Sequence, residues 1–114
     1  MILATIKMTI PPQKRGEVLK VLENVAELCM YDPGCLSCNV YRDLHDNKVI
    51  VLEQAWKSKE DLDHHLRSEE YRNLLLILEL ALKQPEIRFH TISSTTGFET
   101  VERARSLPRR WERP

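Results

Sequence analysis

Apolar and polar residues alternate from the start of the chain: Ile2, Ala4, Ile6, Met8 and Ile10 are interleaved with Thr5, Lys7 and Thr9. A period of two over residues 2–10 predicts a strand with one face in the core. Pro11 and Pro12 end it, because neither can donate to a ladder. Over residues 13–30 the period becomes helical. Val18, Val21, Leu22, Val25 and Cys29 fall on one face, and Lys14, Glu17, Lys20, Glu23 and Glu27 cover the others. Asp32-Pro33-Gly34 predicts a turn, with proline setting φ and glycine accepting a positive φ. Residues 35–43 read as a second strand, with Leu36, Cys38 and Val40 opposite Ser37, Asn39 and Tyr41. The polar stretch 44–48, containing His45-Asp46-Asn47, predicts a hairpin turn. Residues 49–56 are the most β-branched strand and so an interior one.

Two serines then mark helix starts. Ser58 with Asp61, and Ser68 with Tyr71 preceded by Glu69 and Glu70, put a side-chain acceptor and negative charge where helix amides are unpaired. A short helix is expected from about Lys59, carrying Leu62, His65 and Leu66. A longer one runs from Glu69 to about Leu82, with Leu74, Leu75, Leu78 and Leu82 as its apolar stripe. Pro85 stops it, and residues 86–94 form the last strand, Ile87, Phe89 and Thr91 opposite Arg88, His90 and Ile92. The order β-α-β-β-α-β predicts an α+β fold, a ferredoxin-like split βαβ sandwich: a four-stranded antiparallel sheet with helices on one face. The uncovered face would carry Leu3, Val49, Val51 and Ile92, too apolar to leave in water, which predicts a homodimer. Residues 1–96 are the expected domain and 97–114 a C-terminal arm. A short helix is expected over 98–107 through Phe98, Val101 and Ala104, and the aperiodic end, with Trp111, favours docking of the arm on the partner subunit.

Composition narrows the classes. A hydrophobic fraction of 42% with 30% charged residues is that of a soluble globular domain. Lys plus Arg and Asp plus Glu number 17 each, so no global field favours nucleic acid or an anionic membrane. No apolar run reaches membrane-spanning length and the first residues alternate, so a cytoplasmic location is expected. Three cysteines, an odd number, fit reduced thiols better than a disulfide framework. Cys35 and Cys38 lie three apart on a strand and should point to opposite faces, whereas Cys29 could approach Cys35 across the turn. No metal set is evident, and glycine-rich phosphate loops, H-E-x-x-H and G-x-S-x-G patterns are missing.

Candidate chemistry gathers between Val49 and Tyr71. Trp56 shares a strand face with Ile50, Leu52 and Gln54, and is either the wall of a pocket or a core aromatic. His65 follows Leu62 on one helix face, where it could take or give a proton near neutral pH or bond structurally to its surroundings. His64, beside Asp63, should be solvated. Tyr71 could reach a pocket mouth or staple the helix entry, and Asn39, Tyr41, Arg88 and His90 could form a polar cluster on the sheet.

Asp32-Pro33-Gly34-Cys35-Leu36-Ser37, Val40-Tyr41-Arg42-Asp43 and Trp56-Lys57-Ser58-Lys59-Glu60, followed by Leu62, His65-Leu66 and Ser68, resemble the antibiotic biosynthesis monooxygenase (ABM) family. The resemblance implies a dimeric ferredoxin-like α/β barrel. The activities it brings include cofactor-free oxygenation of quinols or anthrones, haem degradation and isomerase-like chemistry. The haem-degrading branch has an asparagine on the first strand and a haem-ligating histidine on the long helix. Here Ile6 and the aliphatic Leu74 and Leu75 stand near those positions, so no iron ligand is in place. The polyketide-oxygenase branch has an asparagine shortly before the tryptophan, where this chain has Leu52 or Gln54, and many relatives have a glutamate where Gln54 stands. The expected function is thus a monooxygenase acting on a small aromatic or quinol-type molecule with no metal or flavin. His65 and Trp56 would be catalytic, and Gln54, Leu52, Tyr71 and Leu62 would bind substrate. The alternative is a non-catalytic dimeric module that binds a small ligand or another protein in the same cavity.

Overall fold

The computed structural model describes residues 1–108. Its elements are β1 (Ile2–Thr9), a 3-10 turn (Pro12–Lys14), α1 (Arg15–Met30), β2 (Cys35–Arg42), β3 (Val49–Trp56), α2 (Lys59–Leu66), α3 (Glu69–Leu78), β4 (Glu86–Thr91) and α4 (Phe98–Arg105). Prolines begin the turn leading into α1, where a missing amide costs nothing. The four strands are antiparallel in the order β2-β3-β1-β4. This is the expected ferredoxin-like α+β sheet, with β3 and β1 inside and the sheet open at β2 and β4.

Register places alternate residues in the core. Ile2, Ala4, Ile6 and Met8 pair with Trp56, Gln54, Leu52 and Ile50, so all eight share the helix-facing side. Val18, Leu22 and Val25 of α1 and Leu74 and Leu78 of α3 close over Ile6, Met8, Ile50 and Leu52. A second cluster joins Ile2, Ala4, Cys29, Trp56 and Leu62. The helices stop short of β4, whose Ile87 and Phe89 remain 40% and 47% exposed on the same side.

Several expectations are corrected. A β-bulge between Cys35 and Ser37 leaves Leu36 as an extra residue, so Cys35 opposes Trp56 and Cys38 opposes Gln54. Cys35 and Cys38 therefore share the helix-facing side instead of diverging, and Leu36 is exposed. The reduced-thiol expectation is corrected too, since Cys29 and Cys35 are disulfide-bonded and only Cys38 is free. Gly34 has no positive φ; a side chain there would overlap Asp61, so close approach is what requires glycine. The long helix ends at Leu78, not Leu82. The amides of Leu80 and Ala81 turn back onto carbonyls three residues earlier, and that of Leu82 bonds the Thr9 carbonyl, carrying the chain toward β4. The last strand ends at Thr91, opposite Ile2 where β1 begins, and the Ile92 amide donates to the Met1 carbonyl. Asn39 and Tyr41 lie on one edge strand and Arg88 and His90 on the other, two strands apart, so they form no cluster.

The uncovered face is mixed. Leu3 and Val51 are half-buried and Val49 and Ala55 buried, among Thr5, Lys7, Glu53, Arg88 and His90. Among the described residues no helix is long and apolar enough to cross a membrane. The arm helix α4 forms close to where it is expected, and among the described residues no other helix or strand makes extensive contact with it. Trp111 lies outside the described residues.

Candidate functional site

The six residues singled out from the sequence come together where β3 meets α2 and α3. Gln54 and Leu52 project from β3, Leu62 and His65 from α2, and Tyr71 from the first turn of α3; all line one hollow with Ala4, Ile6, Leu66 and Phe89. Trp56 stands one layer behind, fully buried, with its indole stacked on His65 at 4.5 Å between centroids and 28° between planes. Tyr71 meets the other side of the imidazole edge-on at 5.2 Å and 77°. His64 points to solvent, as expected for the residue beside it.

Two serine caps fix this arrangement. Ser58 Oγ accepts from the Asp61 amide at 3.2 Å and donates to Asp61 Oδ2 at 2.7 Å, starting α2 directly after Trp56. Ser68 Oγ accepts from the Tyr71 amide at 3.2 Å and donates to the His65 carbonyl at 2.6 Å. One hydroxyl thus binds the end of α2 to the start of α3, and so sets His65 against Tyr71. The Lys57 amide donates to the Gly34 carbonyl at 2.8 Å, tying the entry to α2 onto the Asp32–Gly34 turn.

The electrostatics follow from burial. His65 is 5% exposed, and desolvation lowers its pKa, opposed by Glu70 and Asp32 and reinforced by His64. The ring is therefore neutral at neutral pH. Burial likewise raises the pKa of Tyr71, keeping the phenol protonated. Among the described residues Gln54 Nε2, Trp56 Nε1 and His65 Nε2 are buried side-chain atoms without a hydrogen-bond partner. Each such group costs about 1–3 kcal/mol, so three in one neighbourhood are a large sum for a small domain to carry. The hollow itself measures about 10 Å³, room for one water. No group of three or more His, Cys, Asp or Glu among the described residues could hold a metal ion.

Ala4, Ile6 and Phe89 line the hollow too, although the sequence does not single them out for it. All three lie on strand faces legible from alternation, but only the register sets Ala4 between Gln54 and Phe89, its small side chain leaving the hollow.

The profile of the antibiotic biosynthesis monooxygenase family matches residues 1–75. The chain belongs to this family. Among similar proteins, an uncharacterised Synechocystis protein is 23% identical over 87 residues, covering 75% of this chain. The chain spans 59% of that protein's length. A crystal structure of a conserved protein from Methanosarcina mazei matches with a TM-score of 0.73 at 26% identity, over 78% of this chain and 89% of the other. A Deinococcus radiodurans protein provisionally named as an ABM enzyme matches with a TM-score of 0.77 at 14% identity, over 85% and 97%. At that identity the likeness shows the shared fold. The ABM match covers β1 to the start of α3 and so includes every residue of the hollow except Phe89.

Proposed function

We propose that this chain is a cofactor-independent monooxygenase acting on a small, flat aromatic or quinol-type molecule. The observation that supports it is the group of unpartnered buried polar atoms beside an aromatic and aliphatic hollow. Gln54 Nε2 and His65 Nε2 have no protein partner, and a hydroxyl or carbonyl of a bound aromatic would satisfy them. Neutral His65 is the base that takes a proton from the substrate, and the indole face of Trp56 stabilises the imidazolium that forms. The Gln54 amide donates to the oxyanion. Dioxygen then reacts with the electron-rich ring: a CH₂ carbon becomes C=O, the second oxygen atom leaves as water, and no outside reductant is needed.

A ring does not fit in about 10 Å³, so binding requires the hollow to open. Phe89, on the strand the helices leave bare, and Tyr71 are the side chains to swing aside. That small volume favours a second reading, a non-catalytic dimeric module using the same site. The experiment is oxygen uptake with a panel of quinols and anthrones, comparing wild type with His65→Gln and Gln54→Leu. The oxygenase reading expects turnover that both substitutions reduce. Equal rates in all three proteins remove the catalytic assignment, and saturable binding without oxygen uptake selects the module.

The homodimer belongs to this reading. The open sheet face with Leu3 and Val51 is the surface for a second copy, and the arm from residue 97 is the segment that docks on it.

A further inference from the structure

The three sulfurs lie together on the helix-facing side of the sheet, at its β2 edge, and pack against the same Trp56 that stacks on His65. Cys29 ends α1, Cys35 opens β2, and their Cα atoms are 5.6 Å apart, inside the range a disulfide spans. The bulge at Leu36 brings Cys38 to the same side, and all three line a surface hollow with Ala26, Met30 and Ser37, of about 280 Å³. Cys29 is 6% exposed and packs in one cluster with Trp56 and Leu62, while Cys35 is half-buried and directly opposes Trp56 across β2 and β3.

We propose that Cys29 and Cys35 form a reversible thiol–disulfide site, exchanging with a dithiol, whose state is read by the packing of Trp56. Both oxidation states have a place in the structure. The Ser37 carbonyl lies 3.5 Å from Cys35 Sγ and 4.0 Å from Cys29 Sγ, so the freed thiols have a shared acceptor at hand. The two sulfurs differ in access. Cys35 faces the hollow, which is wide enough for a small dithiol, so it is the sulfur an incoming thiolate reaches. A mixed disulfide forms on Cys35 and Cys29 leaves as thiolate. The second thiolate of the dithiol then attacks its own sulfur in that mixed disulfide, releasing Cys35. Two electrons pass to the protein, and the dithiol becomes a disulfide. Cys38, packed against the core beside Gln54, has no part in the exchange. Residues 29–35 end beside the Lys57–Gly34 hydrogen bond, so opening the bond loosens the wall behind Trp56.

The test does not depend on the aromatic ligand. In a Trp111→Phe background, Trp56 is the sole tryptophan, and disulfides quench neighbouring indoles. Native protein is equilibrated in graded mixtures of reduced and oxidised dithiothreitol, and thiols are counted by alkylation and mass. The expected result is a gain of two reactive thiols on Cys29 and Cys35, reversed on reoxidation, with a parallel rise in Trp56 emission. Cys35→Ser should fix the high-emission state and abolish the response, and Cys38→Ser should leave it unchanged. Circular dichroism of each variant confirms that the fold persists. A pair that never bonds, one that resists reduction until the protein unfolds, or one that is reduced with unchanged Trp56 emission overturns the proposal. So does loss of the response in a folded Cys38→Ser protein.

Discussion

At the scale of single residues, one buried ring carries the chemical and the thermodynamic argument together. Burial holds the folded-state pKa of His65 below the ordinary value of about 6.5. Between the two values the unfolded chain binds more protons than the folded one. The resulting stability is therefore complete above about pH 6.5 and is lost as pH falls through the folded value. Urea midpoints between pH 5 and 8 should show this fall in wild type and a flatter profile in His65→Gln. The same substitution should lower turnover by about 10²–10⁴-fold if His65 is the base. Gly34 supplies a residue-scale test of the scaffold. Gly34→Ala forces its new methyl against Asp61, so it should destabilise by about 1–3 kcal/mol, measured by chemical unfolding.

At the scale of elements, caps and strand parity decide where the site residues land. Ser58→Ala and Ser68→Ala should each cost about 1 kcal/mol in unfolding experiments. Ser68→Ala should cost activity as well, because the same hydroxyl holds the His65 carbonyl and so relates the His65 and Tyr71 rings. Both caps are legible from Ser58-x-x-Asp61 and Ser68-x-x-Tyr71, since an N-cap is local chemistry. The bulge in β2 is not. Alternation of Leu36, Cys38 and Val40 reads as a regular strand, and only pairing with β3 shows that Leu36 is extra and that Cys35 changes sides. The end of α3 is similar. Leu82 continues the apolar stripe, yet the carbonyl of Thr9, remote in sequence, claims its amide.

At the scale of the whole molecule, the open sheet and the arm stand out. The radius of gyration is 17.0 Å, against about 13 Å for a compact domain of this length. The chain thus reaches beyond its core, and α4 presents Val101, with Leu107 just after it, at 42% exposure each. If the sheet face and arm serve a second copy, sedimentation should give a dimer. Val51→Lys should shift it toward monomer, and removal of residues 97–114 should weaken association while the 1–96 domain keeps its circular dichroism spectrum. A monomeric wild-type protein at tens of micromolar would remove the dimer.

Periodicity, prolines and caps sufficed to determine the β-α-β-β-α-β order, the interior place of β3 and the grouping of Trp56, Gln54 and His65 near one junction. Those properties depend on neighbours within a few residues, where backbone sterics and side-chain period act directly. Only the tertiary structure decided that Ala4 separates Gln54 from Phe89, that the indole lies behind the imidazole, and that Cys29 meets Cys35. Each of these depends on register between elements brought together by folding, and a shift of one residue reverses every side chain on a strand.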